Sequence, residues 1–185
     1  MKRSGFLAVI FILLSAVFIA SHASVKIKES KQAPVKQTLQ DAYITVTAPL
    51  FARNETNEQI AGESLKKKIE FLRSYKSEYK KVSYFLAFCR YAKEADMEQG
   101  VQSIVNTLKD DNFAYEILDR NSGKLEGKYI EGSFERNGVK YGIKEHLIKK
   151  DGLLWQVLAI YPYSEKNGKS AENYINSAEI NPDGK

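Results

Sequence analysis

The sequence is poor in the residues from which disulfides, metal sites and common catalytic sites are built. Cys89 is the single cysteine of the 185-residue chain, so no disulfide can form within it. His22 and His146 are the two histidines, and no G-x-S-x-G, P-loop or H-E-x-x-H pattern occurs. The sequence therefore predicts no metal, no cofactor and no catalytic residue, and it gives no sign of an enzyme.

Long apolar runs are also missing. The uncharged run at residues 6–20 is shorter than the roughly 20 residues that a membrane-spanning helix needs. Lys2 and Arg3 precede this run, and Ser21-His22-Ala23 follows it with small residues where a signal peptidase cuts. This pattern predicts a signal peptide at residues 1–23, with an uncleaved membrane anchor as the alternative.

An exported chain without disulfides must rest on packing alone, which favours the periplasm or the exterior of a bacterium. The formal net charge is +5, and Lys2 and Arg3 would leave with the signal peptide. The mature chain is then only weakly basic, so the composition does not indicate a nucleic-acid partner.

The rest of the chain predicts one domain. Residues 24–40 are rich in lysine and contain Pro34, which indicates an extended leader or linker. Residues 41–180 form the predicted domain, and residues 181–185 form a short tail. Within the domain, apolar residues alternate with period two in a first strand at 42–48.

The remaining elements are assigned from apolar spacing and turn residues. Three- and four-residue apolar steps predict an amphipathic helix at 63–81 and another at 97–109. Ser170 is the expected N-cap of a short terminal helix. Asn137-Gly138 is a strong hairpin signal. The predicted strands are residues 82–91, followed by an antiparallel meander at 113–119, 125–136, 139–148 and 153–163.

Residues 153–163 are apolar at nearly every position, so both faces of that strand must be covered. The predicted fold is therefore α+β, an antiparallel sheet with a C-terminal meander and helices packed on both faces. The first strand ends at Ala48-Pro49, Trp155 lies in the apolar strand, and Ala171, Tyr174, Ile175 and Ser177 lie in the terminal helix. This order of elements resembles the PsbP-like superfamily, which implies a role in binding or assembly without catalysis.

Two surface features are candidates for binding. Tyr129, Tyr141, Tyr161 and Tyr163 fall on neighbouring strands of the meander, where they line a groove or simply fill a sheet–helix interface. The predicted helix at 63–81 has a basic face that would attract an anionic partner or merely solubilise the helix. The residues of that face singled out here are Lys66, Lys67, Lys68, Arg73 and Lys76.

Other ionisable residues have simpler interpretations. Glu131, Glu145 and neighbouring carboxylates on the strands are matched in number by lysines such as Lys144, which predicts cross-strand ion pairs. Cys89 is expected to be buried and His146 to be a surface residue. Two hypotheses remain: an exported, non-enzymatic accessory or adaptor domain that binds another protein, and a module that binds a small apolar or anionic ligand or a lipid.

Overall fold

A computed structural model describes residues 30–55, 58–59, 69–91 and 97–181 of the chain. The predicted signal peptide, the first part of the leader and the residues Lys66, Lys67 and Lys68 lie outside these ranges. The helices with complete bounds are α1 (Met97–Leu108) and α2 (Glu165–Asn176). The strands are β1 (Val35–Leu39), β2 (Ile44–Ala48), β3 (Ala52–Arg53), β4 (Ile69–Tyr79), β5 (Val82–Tyr91), β6 (Ala114–Asp119), β7 (Glu126–Arg136), β8 (Val139–Lys150), β9 (Leu153–Pro162) and β10 (Glu179–Ile180).

The main sheet has seven strands in the order β3-β4-β5-β9-β8-β7-β6, and a smaller sheet has the order β1-β2-β10. The four-strand meander predicted from the sequence is confirmed as β6 to β9, with every neighbouring pair antiparallel. Asn137 and Gly138 join β7 to β8, and both have positive φ angles, as a tight hairpin turn requires. Lys80 and Lys81 also have positive φ and join β4 to β5 in a two-residue turn that carries no glycine.

Strand β9 lies near the middle of the sheet, paired with β5 and β8, and it is buried on both faces. On one face, Leu154 and Leu158 pack in a cluster that includes α1 residues such as Ile104. On the other face, Trp155 and Val157 pack in a second cluster. That second cluster also contains Tyr174 of α2 and the apolar residues of β2. The expectation that β9 is covered on both sides is confirmed.

The predicted α+β class, with helical layers on both faces of the sheet, is wrong. The described residues are mostly β, with two helices beside a large antiparallel sheet. Much of the cover expected from helices comes from a second sheet, because β1, β2 and β10 pack with α2 over the main sheet. No described helix is both long enough and apolar enough to span a bilayer.

The principal local error concerns the helix predicted at 63–81. Residues 63–68 are outside the described ranges, and Ile69–Tyr79 form β4. Leu72 belongs to one core cluster and Tyr75 to the other. A strand buried on both faces carries apolar residues at odd and even positions, and here they happened to fall at helical spacing. Ten residue pairs with β5 fix the strand, so tertiary pairing overrides the local pattern.

Two boundaries also differ from the sequence-based expectation. Part of the predicted leader is strand β1, which pairs along its whole length with β2. The terminal helix begins one and a half turns before Ser170, because the Ser164 hydroxyl accepts a hydrogen bond from the backbone N–H of Asn167. Residues 165–169, which precede the expected N-cap, are therefore the first residues of α2.

Candidate functional site

A groove of about 930 Å³ lies between α2 and the outer strands of the main sheet. Helix α2 packs on β9 and β8, whereas β6 lies two strands further out at the edge of the sheet. The helix therefore covers the sheet only in part, and the uncovered strip beside it forms the groove. Its wall residues include Glu116 of β6, Glu131 of β7, Lys144 of β8, Tyr161 of β9 and Glu172 of α2.

An ion pair crosses the groove floor. Glu131 and Lys144 lie directly opposite each other in the β7–β8 ladder, and Lys144 Nζ donates to Glu131 Oε1 at 2.7 Å. The Tyr129 hydroxyl donates to Glu131 Oε2 at 2.9 Å and accepts from Lys144 Nζ at 3.3 Å. This bears out the expected cross-strand pairing for these two residues.

The protonation of this group follows from its contacts. Burial alone would raise the pKa of Glu131, but the hydrogen bonds from Lys144 and Tyr129 outweigh it and lower the pKa. Burial and the hydrogen bond to Glu131 raise the pKa of Tyr129. Glu131 is therefore an anion at neutral pH, and its charge is balanced by a lysine whose side chain is only 7% exposed.

Tyr161 forms the inner wall of the groove. Its ring lies against Gly142, where an added Cβ would come within 2.4 Å of the ring, and its hydroxyl lies near Gly168 of α2. The residue is 4% exposed, yet its hydroxyl has no hydrogen-bond partner among the described residues. Burial, followed by the charges of Glu131, Tyr163 and Glu172, raises the pKa of Tyr161 to about 12, so the phenol keeps its proton.

The groove is acidic although the whole chain is basic. Four carboxylates line it against two ammonium groups, those of Lys144 and Lys169. Glu116 lies directly opposite Glu131 in the β6–β7 ladder, an arrangement that destabilises a sheet when both side chains are charged. Within the described part of the chain, Glu116 and Glu172 have no ion-pair partner. The carboxylates of the groove are Glu116, Glu131, Glu165 and Glu172.

Polar groups outside the groove are more fully enclosed. His146 is buried rather than a surface residue, and its Nε2 lies 2.8 Å from the Arg120 carbonyl oxygen, to which it donates. Glu145 is fully buried on the α1 side, and burial raises its pKa to about 8 despite a hydrogen bond from Gln156. Cys89 is buried as expected, and burial raises the pKa of its thiol to about 12. None of these three residues lines the groove.

The predicted tyrosine set is only partly gathered at one place. Tyr161 and Tyr163 line the groove, and the hydroxyl of Tyr129 reaches its floor through Glu131. Tyr141 points to the other face of the sheet, where it stacks on Phe134 with ring centroids 5.4 Å apart. Side chains on one strand alternate between faces, so the Tyr141 side chain points to the face opposite that of Lys144.

The predicted basic face is not found near the groove. Arg73 and Lys76 lie on β4, towards the opposite edge of the main sheet. Arg73 Nε lies 3.7 Å from an Asp41 carboxylate oxygen, and its guanidinium lies over the Phe71 ring. Because β4 is a strand, Arg73 and Lys76 point to opposite faces. These two residues therefore do not form one basic surface.

The sequence analysis missed the groove residues that come from distant segments. Glu172 was part of the polar face of a short helix, and Glu116 was part of an unremarkable strand. Gly142 interrupts an otherwise regular alternation in β8, which is a signal of a close approach by another group. That glycine, together with the tyrosines of the meander, is a local sequence feature from which this site could have been suspected.

No protein-family model and no curated protein matches this chain. Among solved structures it is similar to LpqN of Mycobacterium tuberculosis, described as involved in cell envelope biogenesis, with 15% identity and a TM-score of 0.42. That similarity covers 60% of this chain and 64% of LpqN, so the chain spans slightly less than two thirds of LpqN.

Two further solved structures are similar at comparable levels. PA94 from Pseudomonas aeruginosa, a protein of unknown function described as a putative regulator, has 10% identity and a TM-score of 0.41 over 76% of this chain and 90% of PA94. A protein from Bacteroides thetaiotaomicron VPI-5482 has 12% identity and a TM-score of 0.46 over 84% of this chain and 51% of its own length. No functional assignment follows from similarities at this level.

Proposed function

We propose that this protein is a non-enzymatic adaptor domain that binds an extended segment of another protein along β6 and the adjoining groove. The observation that carries the proposal is the state of β6. It is the last strand of the main sheet, and all six of its residues are exposed.

An exposed edge strand presents unpaired backbone N–H and C=O groups to any extended chain. Proteins usually protect such edges with lysine, proline, bulges or a covering element. Strand β6 has the sequence AYEILD, which contains neither lysine nor proline, and its six pairs with β7 run without a register shift. Tyr115, Ile117 and Leu118 are 46%, 37% and 47% exposed. The charged side chains of β6 are those of Glu116 and Asp119, and Asp119 forms an ion pair with Lys128 of β7. Exposed apolar side chains on such an edge are typical of an interaction site.

The groove supports the same function because it lies directly beside β6. A segment added to β6 would place every second side chain on the groove side, where Glu116 lies, and the others beside Tyr115 and Ile117. Backbone hydrogen bonds would then supply affinity, and the groove would supply selectivity.

An exported location is part of the proposal, supported by the sequence pattern of residues 1–23. The resemblance to PsbP-like proteins stays a prediction, and the proposed function does not depend on it.

A small-ligand module that uses the same groove is the second candidate. It is favoured by the groove volume and by the Tyr161 hydroxyl, which has no hydrogen-bond partner among the described residues. The acidic lining argues against an anionic ligand, and the open polar walls argue against a lipid. Such a module would bind its ligand without involving the backbone of β6.

The test uses a phage-displayed library of random dodecapeptides selected on the mature protein. We expect selected peptides to lose binding at least tenfold when β6 is blocked by proline. Two variants, Ile117→Pro and Leu118→Pro, are compared because the backbone N–H groups of adjacent strand residues point to opposite sides of the strand. One of these N–H groups points towards β7, and the other points away from the sheet, towards a docked segment. The variant that keeps the fold, judged by circular dichroism, is the one that has lost the N–H pointing away from the sheet.

Tyr43→Ala is the matched control, because Tyr43 is an aromatic residue of similar exposure away from β6. Peptides that bind the blocked variant as well as the wild type would contradict docking on β6. Failure to select any peptide that binds the wild type would contradict the proposed function.

A further inference from the structure

We infer that the groove receives a basic side chain, lysine or arginine, from the segment docked on β6. The inference rests on the proposed function and adds the chemistry of the partner. In the expected partner segment, a basic residue lies opposite Glu116. The residues on either side of it are apolar and lie opposite Tyr115 and Ile117.

The first support is the uncompensated charge of the groove. Lys144 already neutralises Glu131, so it does not balance Glu116 on the next strand. Glu172 faces the same space from α2, and neither Glu116 nor Glu172 has an ion-pair partner among the described residues. A cation between these carboxylates would relieve the repulsion between Glu116 and Glu131 and would be attracted by Glu172.

The second support is the position of that charge at the edge of the sheet. A segment added beyond β6 lies next to Glu116, whereas Tyr161 on β9 is four strands away, roughly 19 Å at the usual strand spacing. A lysine or arginine of the segment therefore reaches Glu116 and does not reach the Tyr161 hydroxyl. An ammonium or guanidinium group carries several N–H donors and no acceptor, which suits a carboxylate.

The geometry favours a side chain over a bare ion. Nowhere in the described ranges do three or more histidine, cysteine or acidic residues gather closely enough to hold a metal ion. The groove is lined by Glu116 on the edge strand itself, within reach of a long side chain from a segment docked beside that strand.

The side-chain alternation of a strand fixes the expected pattern. On β6, Glu116 faces the groove, whereas Tyr115 and Ile117 face the α1 side, where Tyr115 stacks on Phe113 with ring centroids 4.9 Å apart. A docked segment therefore meets carboxylate on one face and apolar surface on the other. An apolar-basic-apolar triplet matches both faces at once.

The experiment compares three synthetic peptides that share one backbone pattern: Gly-Thr-Val-Lys-Val-Thr-Gly and its versions with Gln or Glu in place of Lys. Affinities are measured by fluorescence anisotropy with the full mature protein. We expect the Lys peptide to bind at least tenfold tighter than the Glu peptide, with the Gln peptide between them. Raising the salt concentration should weaken the Lys peptide most.

Variants locate the cation. Glu116→Gln and Glu172→Gln should each weaken the Lys peptide about three- to tenfold and leave the Gln peptide unchanged, as expected for a partly exposed charge pair in binding. Glu70→Gln is the matched control, because it removes an exposed carboxylate from β4 on the far side of the sheet. An equal loss in Glu70→Gln would overturn the inference in favour of a general charge effect.

The outcomes separate the two levels of the proposal. Equal binding of all three peptides, abolished by the proline block of β6, overturns the inference and leaves the proposed function standing. No binding by any of the three peptides, together with no selection from the library, overturns both. Competition by n-butylammonium for a Lys peptide that still binds the blocked variant would identify a small-amine site and overturn docking by a partner segment.

Discussion

Tyrosine hydroxyls differ in their hydrogen bonding between the closed interior under α2 and the open groove beside the same helix. Tyr174, on the buried face of α2, is 1% exposed, and its hydroxyl donates to the Phe85 carbonyl at 2.7 Å. Tyr161 is almost as buried, yet its hydroxyl has no such bond within the described ranges. The Tyr174 hydroxyl is bonded inside the protein and contributes to stability, whereas the Tyr161 hydroxyl faces the groove.

The largest expected effect comes from opening the closed interior. Trp155 is fully buried, stacks on Phe88 with ring centroids 5.0 Å apart, and donates from Nε1 to the Ala42 carbonyl. Trp155→Ala should lower the free energy of unfolding by about 3–5 kcal/mol. Urea denaturation measures this change. Tyr43→Ala, at an exposed aromatic residue, is the control and should cost less than about 1 kcal/mol. Equal losses would contradict the distinction between the two environments.

The second prediction concerns pH and contrasts the buried Glu145 with the charged Glu131 of the groove. The pKa of Glu145 is about 8 when folded and near its ordinary value of 4.5 when unfolded. The stability it provides is therefore complete below pH 4.5 and is lost as the pH rises to 8. The expected slope is roughly 1.4 kcal/mol per pH unit.

Glu145→Gln removes this titration while keeping a similar shape. We expect the variant to match the wild type near pH 5 and to be more stable by a few kcal/mol near pH 8. Denaturation curves at both values check it. If the difference between the two proteins is the same at pH 5 and pH 8, Glu145 does not titrate in this range.

The third prediction compares the two buried tyrosines directly. Tyr174→Phe leaves the Phe85 carbonyl without its donor and should cost about 1–2 kcal/mol. Tyr161→Phe breaks no hydrogen bond within the described residues and should change stability by less than about 0.5 kcal/mol. It should leave the affinity of the Lys peptide unchanged, because a segment docked on β6 does not reach this hydroxyl. A stability loss in Tyr161→Phe as large as that in Tyr174→Phe would show that the groove hydroxyl has a structural partner.

The smallest expected effect concerns the helix that forms one wall of the groove. Ser164→Ala removes the N-cap of α2 and should cost about 1 kcal/mol. Ser170→Ala is the matched control, since Ser170 lies inside the helix and bonds only to the Lys166 carbonyl. That variant should be neutral or slightly stabilising, because alanine is the better helix former. A larger loss of stability in Ser170→Ala than in Ser164→Ala would indicate that the helix begins at Ser170.

Local sequence signals predicted the meander well, for physical reasons. Asn137-Gly138 specifies a hairpin through backbone conformation alone, and β9 is so apolar that burial on both faces was the clear interpretation. Where the local signal was ambiguous, it failed. The apolar residues of β4 fall at spacings that suit a helix or a doubly buried strand, and pairing with β5 decides between the two. The lysines at the β4–β5 turn gave no sign of a hairpin.

The groove was less predictable than the fold because its residues come from four separate strands and a helix. The tyrosine pattern pointed to Tyr161 and Tyr163, but parity placed Tyr141 on the opposite face. The sequence analysis selected basic residues of a predicted helix as a binding surface. The described part of that segment is strand β4, and the groove is acidic. Only the register of β6 on β7 brings Glu116 opposite Glu131, and a register of that kind is set by long-range pairing.

The carboxylate of Glu116 has a further consequence for how copies of this protein behave toward one another. An unprotected edge strand invites pairing with the same strand of a second molecule. Antiparallel pairing of two β6 strands centred on Glu116 would place the two Glu116 side chains directly opposite, beside Glu131 of each copy. The resulting repulsion would disfavour pairing between the β6 strands of two copies of the chain. The charge that would favour a basic partner segment would therefore disfavour pairing of this edge with a second copy of the chain.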